Sequence, residues 1–118
     1  MATFLRAINA LENIRVIDAS LHQALAATAP TGKTGWKKYL GSAKDEIADA
    51  IQVLEAKRLH PTAVASLKVS WSKMKSAMKT NTPAQKDQKD SLTTEAISNE
   101  HAARGDICEA GSDAVLCP

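Results

Sequence analysis

The chain has 118 residues, a length typical of one domain, and 44% of them are apolar, which is enough for a hydrophobic core. Aromatic residues make up only 3%, so aliphatic side chains and alanine must fill that core. This composition favours packed helices over a β-sandwich or barrel. A net charge of +2 is too small to indicate a polyanionic partner.

Targeting and membrane signals are not evident in the sequence. No apolar run approaches the length of a membrane span, so no membrane partner is expected. The N-terminus lacks the basic start, apolar block and small-residue cleavage site of a signal peptide. We therefore expect synthesis in the cytoplasm.

The first 28 residues predict a long helix, placed at about 3–28, because apolar residues recur there at spacings of three and four. The main apolar stripe comprises Phe4, Ile8, Leu11, Ile14, Ile17, Leu21 and Leu25. Leu5 and Val16, eleven residues apart, lie together on the opposite side of this helix. They predict a second, narrower apolar line and a candidate interaction surface.

The second helix is predicted over about 36–59, after a connection that contains glycine and proline. Ser42 is a candidate N-cap, with Asp45 three residues later, and Pro61 stops the helix. The predicted core stripe comprises Leu40, Ala43, Ile47, Ile51 and Leu54.

Two further helices are predicted over about 62–80 and 83–104. The third has an a/d seam of Val64, Leu67, Trp71, Met74 and Met78. Thr82 and Gln85 predict a capping box that begins the fourth helix, and Gly105 predicts its end. The fourth helix has a thin apolar face that consists of Leu92, Ala96, Ile97 and Ala103.

These elements predict an all-α fold, an antiparallel up-and-down bundle of three to four helices over residues 1–104. A three-helix bundle with an extended C-terminal arm is the alternative. Residues 105–118 are predicted to form an irregular tail that carries both cysteines.

Cys108 and Cys117 enclose eight residues that include a glycine. A disulfide can close a loop of this length, whereas the spacing fits no common zinc-ligand pair. Two reduced thiols are the alternative. Cys108 and Cys117 are therefore the candidate disulfide residues, paired either within one chain or between subunits.

The histidines carry no recognisable metal motif. Asp18 and His22 are four residues apart on the first helix, and we interpret them as a hydrogen-bonded pair at the edge of the core. His60 and His101 lack the glutamate three residues earlier that di-metal helical bundles use. We therefore predict no metal site, no catalytic residue and no cofactor.

Charge is segregated along the chain. Seven basic and no acidic residues lie between Lys57 and Lys86, and acidic residues dominate after Lys89. Lys68, Lys75 and Lys79 line one edge of the third helix, a candidate surface for nucleic acid or for an acidic protein segment. The patch contains one arginine, and its one aromatic residue, Trp71, belongs to the predicted seam, so pairing with protein carboxylates is favoured.

Two function hypotheses follow from these features. The first is a non-enzymatic structural or assembly protein that packs its helices against copies of itself or other subunits, for example as a capsid, neck or tail accessory component of a phage virion. The alternative is a nucleic-acid-associated or regulatory module that uses residues 57–86.

Overall fold

Four helices make up the described part of the chain. This computed structural model describes the backbone of residues 2–109 and the side chains of residues 12–108. The helices are α1 (Ala2–Ala26), α2 (Trp36–Ala56), α3 (Pro61–Ala77) and α4 (Lys86–Glu109), and a single 3-10 turn, Pro83–Gln85, leads into α4. No strand occurs in residues 2–109, so the all-α prediction is confirmed. None of these helices is both long and apolar enough to cross a bilayer.

The helices surround one aliphatic core. α1 contacts α2 and α4, and α3 contacts the same two helices, so α4 belongs to the packed body rather than forming an arm. The fully buried apolar residues come from all four helices: Ile14, Ile17, Leu21, Ala24, Trp36, Leu40, Ala43, Ile47, Ala50, Leu54, Ala63, Leu67, Met74, Ala77, Ala96, Ala103 and Ile107.

α2 begins at Trp36, the predicted first residue, but the prediction that Ser42 caps it is wrong, because Ser42 lies inside the helix. Carbonyl groups of the preceding loop take the place of a side-chain cap. The N–H of Trp36 donates to the Ala29 carbonyl at 2.9 Å, and the N–H of Lys37 donates to the Pro30 carbonyl at 3.1 Å. Two of the N–H groups that a helix start leaves unpaired are thereby satisfied. The buried Trp36 indole also donates to the Thr80 carbonyl at 3.3 Å.

α2 ends at Ala56, three residues before its predicted end. Arg58 adopts the left-handed conformation (φ 54°). Its N–H donates to the Glu55 carbonyl at 3.1 Å, and the N–H of Leu59 donates to the Leu54 carbonyl at 2.9 Å. This pair of bonds is a Schellman motif, which usually has glycine at the left-handed position.

The buried stripe of α3 includes three residues of the predicted seam, Val64, Leu67 and Met74. The other two, Trp71 and Met78, are partly buried and pack against the edge of the core. The fully buried residues of α3 are Ala63, Leu67, Ser70, Met74 and Ala77. Small side chains alternate with larger ones along this stripe, and the Ser70 hydroxyl donates to the Ala96 carbonyl of α4 at 2.8 Å. The small residues thus allow α4 to approach α3 closely.

α4 begins as predicted and ends later than predicted. The Thr82–Gln85 capping box is present, and the Thr82 N–H donates to Gln85 Oε1 at 3.2 Å. The helix continues through Gly105 to Glu109, so the predicted end at Gly105 is wrong. Ile107 is fully buried beyond that glycine, and Asp106 Oδ2 accepts a hydrogen bond from the Ala63 N–H at the start of α3, at 3.1 Å. Contacts with α3 therefore stabilise the extra turn.

The inward stripe of α4 explains its thin apolar pattern. Six residues spaced alternately by four and three are fully buried: Lys89, Thr93, Ala96, Glu100, Ala103 and Ile107. This is a regular heptad seam. Polar side chains occupy half of its positions, so hydrophobic periodicity alone could not reveal it.

Candidate functional site

Three potential metal-ligating side chains meet where α1 packs against α4. Asp18 and His22 lie one turn apart on α1, and His101 reaches them from α4. Asp18 Oδ1 is 2.8 Å from His101 Nε2 and 3.4 Å from His22 Nε2. One ligand atom from each of the three residues lies within 4.8 Å of the others. The predicted Asp18–His22 contact at the core boundary is therefore part of a larger cluster.

The two histidines of this cluster are accessible from solvent. The side chains of His22 and His101 are 54% and 53% exposed, and that of Asp18 is 23% exposed. The imidazole ring centroids lie 6.5 Å apart with a 56° angle between the ring planes. A small ligand or ion can thus reach the cluster without opening the helical core.

A fully buried carboxyl group adjoins the cluster on α4. Glu100 has no exposed surface, and neither of its carboxyl oxygens has a hydrogen-bond partner of acceptable geometry. Its Oε2 lies 3.4 Å from His101 Nε2. Buried carboxyl groups without partners are rare in folded proteins, because the lost hydration is not replaced.

The electrostatics of the two carboxyl groups differ. Burial, together with the negative charge of Asp18, raises the pKa of Glu100 to about 8, with Arg104 acting in the opposite direction. Burial also opposes ionisation of Asp18, but its contacts with His101, Glu100 and His22 outweigh this effect and lower its pKa below the usual value. At neutral pH the cluster therefore holds one carboxylate and one predominantly protonated carboxyl group.

A second buried polar group lies elsewhere on α4. Lys89 is fully buried, its ammonium group pairs with Asp90, and it lies 5.0 Å from the centroid of the Trp36 ring. Burial opposes ionisation of Asp90, yet the neighbouring Lys86 and Lys89 lower its pKa below the usual value. The Lys89 side chain therefore reaches from α4 to the Trp36 ring at the start of α2.

Val16 is the residue of the predicted second apolar line on α1 whose side chain the structure describes. Val16 is 49% exposed, whereas Ile14 and Ile17 on either side of it are fully buried. Glu12 and Arg15 lie beside it. The side chain of Leu5 lies outside the described residues.

Of the three candidate lysines, Lys68 and Lys75 lie on α3 and contact other residues of the chain, whereas Lys79 lies just beyond the end of α3. Lys68 Nζ lies 2.7 Å from a carboxylate oxygen of Glu55 on α2, and Lys75 Nζ lies 5.2 Å from the Trp71 ring centroid. Lys79 is exposed. Lys73, which is not one of the three predicted lysines, lies 3.2 Å from a carboxylate oxygen of Glu95 on α4.

The candidate disulfide can be followed at one of its two ends. Cys108 lies in the last turn of α4, half-buried against the core. Cys117 lies outside the described residues, so its pairing with Cys108 stays a prediction.

Sequence reasoning missed His101 and Glu100 as neighbours of Asp18. Metal motifs within one helix have a fixed spacing, whereas the ligands of this cluster come from two helices, with Asp18 and His101 83 positions apart in the chain. The usable signal was the regular spacing of polar residues on the fourth helix, which placed Glu100 on its inward side. Comparisons with protein-family models, curated proteins and solved structures gave no significant match.

Proposed function

We propose that this chain is a non-enzymatic assembly protein whose four helices run up and down in an antiparallel bundle and whose α1 packs against α1 of a second copy. Val16 is the observation that supports the proposal. A valine half-exposed between two fully buried isoleucines has no role in the core of its own chain. Covering it in an interface would remove apolar surface from water.

The charges around Val16 favour a second copy as the partner. Glu12 and Arg15 carry opposite charges beside it. In a two-fold contact the same surface occurs on both sides, so each carboxylate can approach a guanidinium of the other copy. The net charge of +2 per chain adds little repulsion between copies. A symmetric particle, such as the phage virion suggested by the sequence, is the specific setting that we propose.

The nucleic-acid alternative has less support. Acidic residues of the same chain pair with Lys68 and Lys73. Trp71, the aromatic residue of the basic stretch, lies near the ammonium groups of Lys44 and Lys75, at 5.6 and 5.2 Å from its ring centroid. Base stacking on this ring would have to displace both cations.

The oligomeric state of the full chain tests the proposal. We expect sedimentation equilibrium to show a concentration-dependent dimer or larger species, and Val16→Asp to shift it towards monomer. Val69→Asp on α3 is the matched control, because Val69 is similarly exposed, at 43%. Equal effects of the two substitutions, or a monomeric wild type at high concentration, would refute the α1 contact. Salt-sensitive binding to a DNA duplex would favour the alternative.

A further inference from the structure

We propose that Asp18, His22 and His101 bind one divalent transition-metal ion, represented by Zn²⁺, and that this ion links α1 to α4. The inference goes beyond the proposed assembly role and does not depend on it. It rests on the geometry of the three side chains and, independently, on the buried carboxyl group of Glu100.

The donor atoms are close to the separations that zinc requires. Zinc–nitrogen and zinc–oxygen bonds of about 2.0–2.1 Å in a tetrahedral site place ligand atoms roughly 3.3–3.4 Å apart. Asp18 Oδ1 is already 2.8 Å from one imidazole nitrogen and 3.4 Å from the other. Both imidazole rings are more than half exposed, so they can rotate to close the remaining gap between them.

The backbone supplies a suitable chelating pair. Asp18 and His22 are four residues apart on one helix, and side chains at this spacing lie on the same face. Zinc-binding helices use the same spacing for two histidines. His101 completes the set from α4, so three protein ligands leave a fourth position for water or another donor.

Glu100 is the independent indication that a cation belongs here. Its fully buried carboxyl oxygens accept no hydrogen bond of acceptable geometry, it lies against the Asp18 carboxylate, and its Oε2 is 3.4 Å from the same His101 nitrogen that faces Asp18. Two carboxyl groups in so small a volume repel each other when both are ionised. A divalent ion would displace the proton of Glu100 and neutralise the charges of the two resulting carboxylates, so Glu100 is the nearest candidate for the fourth donor.

The donor chemistry selects the class of ion. Imidazole nitrogens suit Zn²⁺, Co²⁺, Ni²⁺ and Cu²⁺, whereas Mg²⁺ and Ca²⁺ prefer sites made only of oxygen ligands. Two imidazoles and one or two carboxylates therefore favour first-row transition metals. Because the ligands come from α1 and α4, binding would stabilise the contact between these helices.

Titration of the tag-free full chain with zinc chloride, followed by calorimetry, tests the site. We expect one Zn²⁺ per chain and no binding of Mg²⁺ under the same conditions. His22→Asn and His101→Asn should each weaken zinc binding by about 100-fold or more, since even residues that only support metal ligands contribute 10–100-fold. His60→Asn is the matched control: it makes the same substitution at the third histidine, in the connection between α2 and α3, and should leave affinity unchanged.

Thermal unfolding provides a second measurement that separates binding from misfolding. Zinc that binds only the folded chain raises the unfolding midpoint. We expect this rise for the wild type and for His60→Asn, and its loss in His22→Asn and His101→Asn, whose midpoints without metal should stay near the wild-type value because both side chains are exposed. The double variant Cys108→Ser, Cys117→Ser should retain zinc binding.

Three results would overturn the proposal. One is the absence of stoichiometric zinc binding by the folded wild type. Another is unchanged affinity in both His22→Asn and His101→Asn. The third is loss of binding in the cysteine variant with retention in the histidine variants, which would assign the metal to the thiols.

Discussion

Lys89 Nζ lies 2.8 Å from the carbonyl oxygen of Ala24, so a side chain of α4 caps the end of α1. The same ammonium group donates to the carbonyl oxygens of Leu25 and Ala27 at 3.0 and 2.9 Å. Carbonyl groups at a helix end have no partners within the helix, and a cation there also interacts favourably with the helix dipole. One buried lysine thus determines both where α1 ends and how α4 is placed beside it.

Lys89→Met should be strongly destabilising, because it leaves three carbonyl groups without a donor and removes one of the two lysines that pair with Asp90. We expect a loss of about 3–5 kcal/mol in the free energy of unfolding, the range for breaking a buried ion pair. Lys86→Met is the control: Lys86 pairs with the same aspartate but is 39% exposed, and its loss should cost less than about 1 kcal/mol. Urea unfolding of both variants measures the difference, and equal losses would contradict the capping role.

The stability of the metal-free protein should depend on the ionisation of Glu100. Its pKa is about 8 in the folded chain, whereas the ordinary value, which applies to the unfolded chain, is 4.5. Between pH 4.5 and pH 8 the folded state therefore holds a proton that the unfolded state has released. Stability must therefore fall as pH rises through this window, by up to about 1.4 kcal/mol per pH unit.

Glu100→Gln removes this penalty. Measured in EDTA, the variant should be more stable than the wild type at pH 8, and the difference should shrink towards pH 5. Glu95→Gln, at a 49% exposed position on the same helix, should leave the pH dependence unchanged. A wild-type stability that does not fall between pH 5 and pH 8 would disprove the raised pKa.

Arg58→Gly should stabilise the protein. Arg58 has φ 54° in the Schellman motif after α2, a conformation that glycine adopts without the steric cost that other residues incur. We expect the free energy of unfolding to rise by about 0.5–1 kcal/mol. The greater conformational entropy of glycine in the unfolded chain offsets part of this gain. Lys57→Gly, at φ −104°, should instead destabilise. Thermal unfolding of the pair gives the sign of each effect, and a loss for Arg58→Gly would contradict this account.

Ser70→Leu should disrupt the contact between α3 and α4. Ser70 is fully buried and its hydroxyl donates to the Ala96 carbonyl, so a larger side chain has no space at this position. We expect overpacking to lower the free energy of unfolding by about 1–3 kcal/mol. Loss of the hydrogen bond to Ala96 should lower it further. Ser72→Leu, at an exposed position of the same helix, should change stability by less than about 0.5 kcal/mol. Chemical denaturation distinguishes the two, and tolerance of Ser70→Leu would show that the helices can separate at low cost.

The predicted Cys108–Cys117 disulfide can be tested on the intact chain. Mass spectrometry should find the air-oxidised monomer two hydrogen atoms lighter than the reduced chain, without a cross-linked dimer. Closing so short a loop should contribute about 2–3 kcal/mol by the chain-entropy account. A disulfide-linked dimer would instead assign the cysteines to contacts between chains, and an unchanged mass would support two reduced thiols.

Local sequence signals predicted most of the helical elements. The recurrence of apolar residues at spacings of three and four predicted α1 and its buried Ile14, Ile17 and Leu21. The Thr82–Gln85 capping box predicted the start of α4. The errors occurred where a local signal competed with tertiary contacts. Ser42 has good capping chemistry, but the loop carbonyls start the helix six residues earlier at Trp36.

Hydrophobicity alone was misleading for α3 and α4. Trp71 matched a seam by spacing, yet the close approach of α4 requires small residues such as Ser70, which places the indole at the edge. The α4 seam was hidden because Lys89, Thr93 and Glu100 occupy inward positions. Each of these polar side chains is buried beside particular residues of other helices. The periodicity of a single helix does not show which residues those are.

The sequence by itself determined the all-α class, the approximate extent of the helices and the aliphatic nature of the core, because these depend on interactions between residues close in the chain. Only the tertiary structure decided that His101 meets Asp18 and His22, and that Lys89 caps α1. Those contacts join residues more than sixty positions apart. They depend on how whole helices pack, and that packing is a property of the assembled core rather than of any local segment.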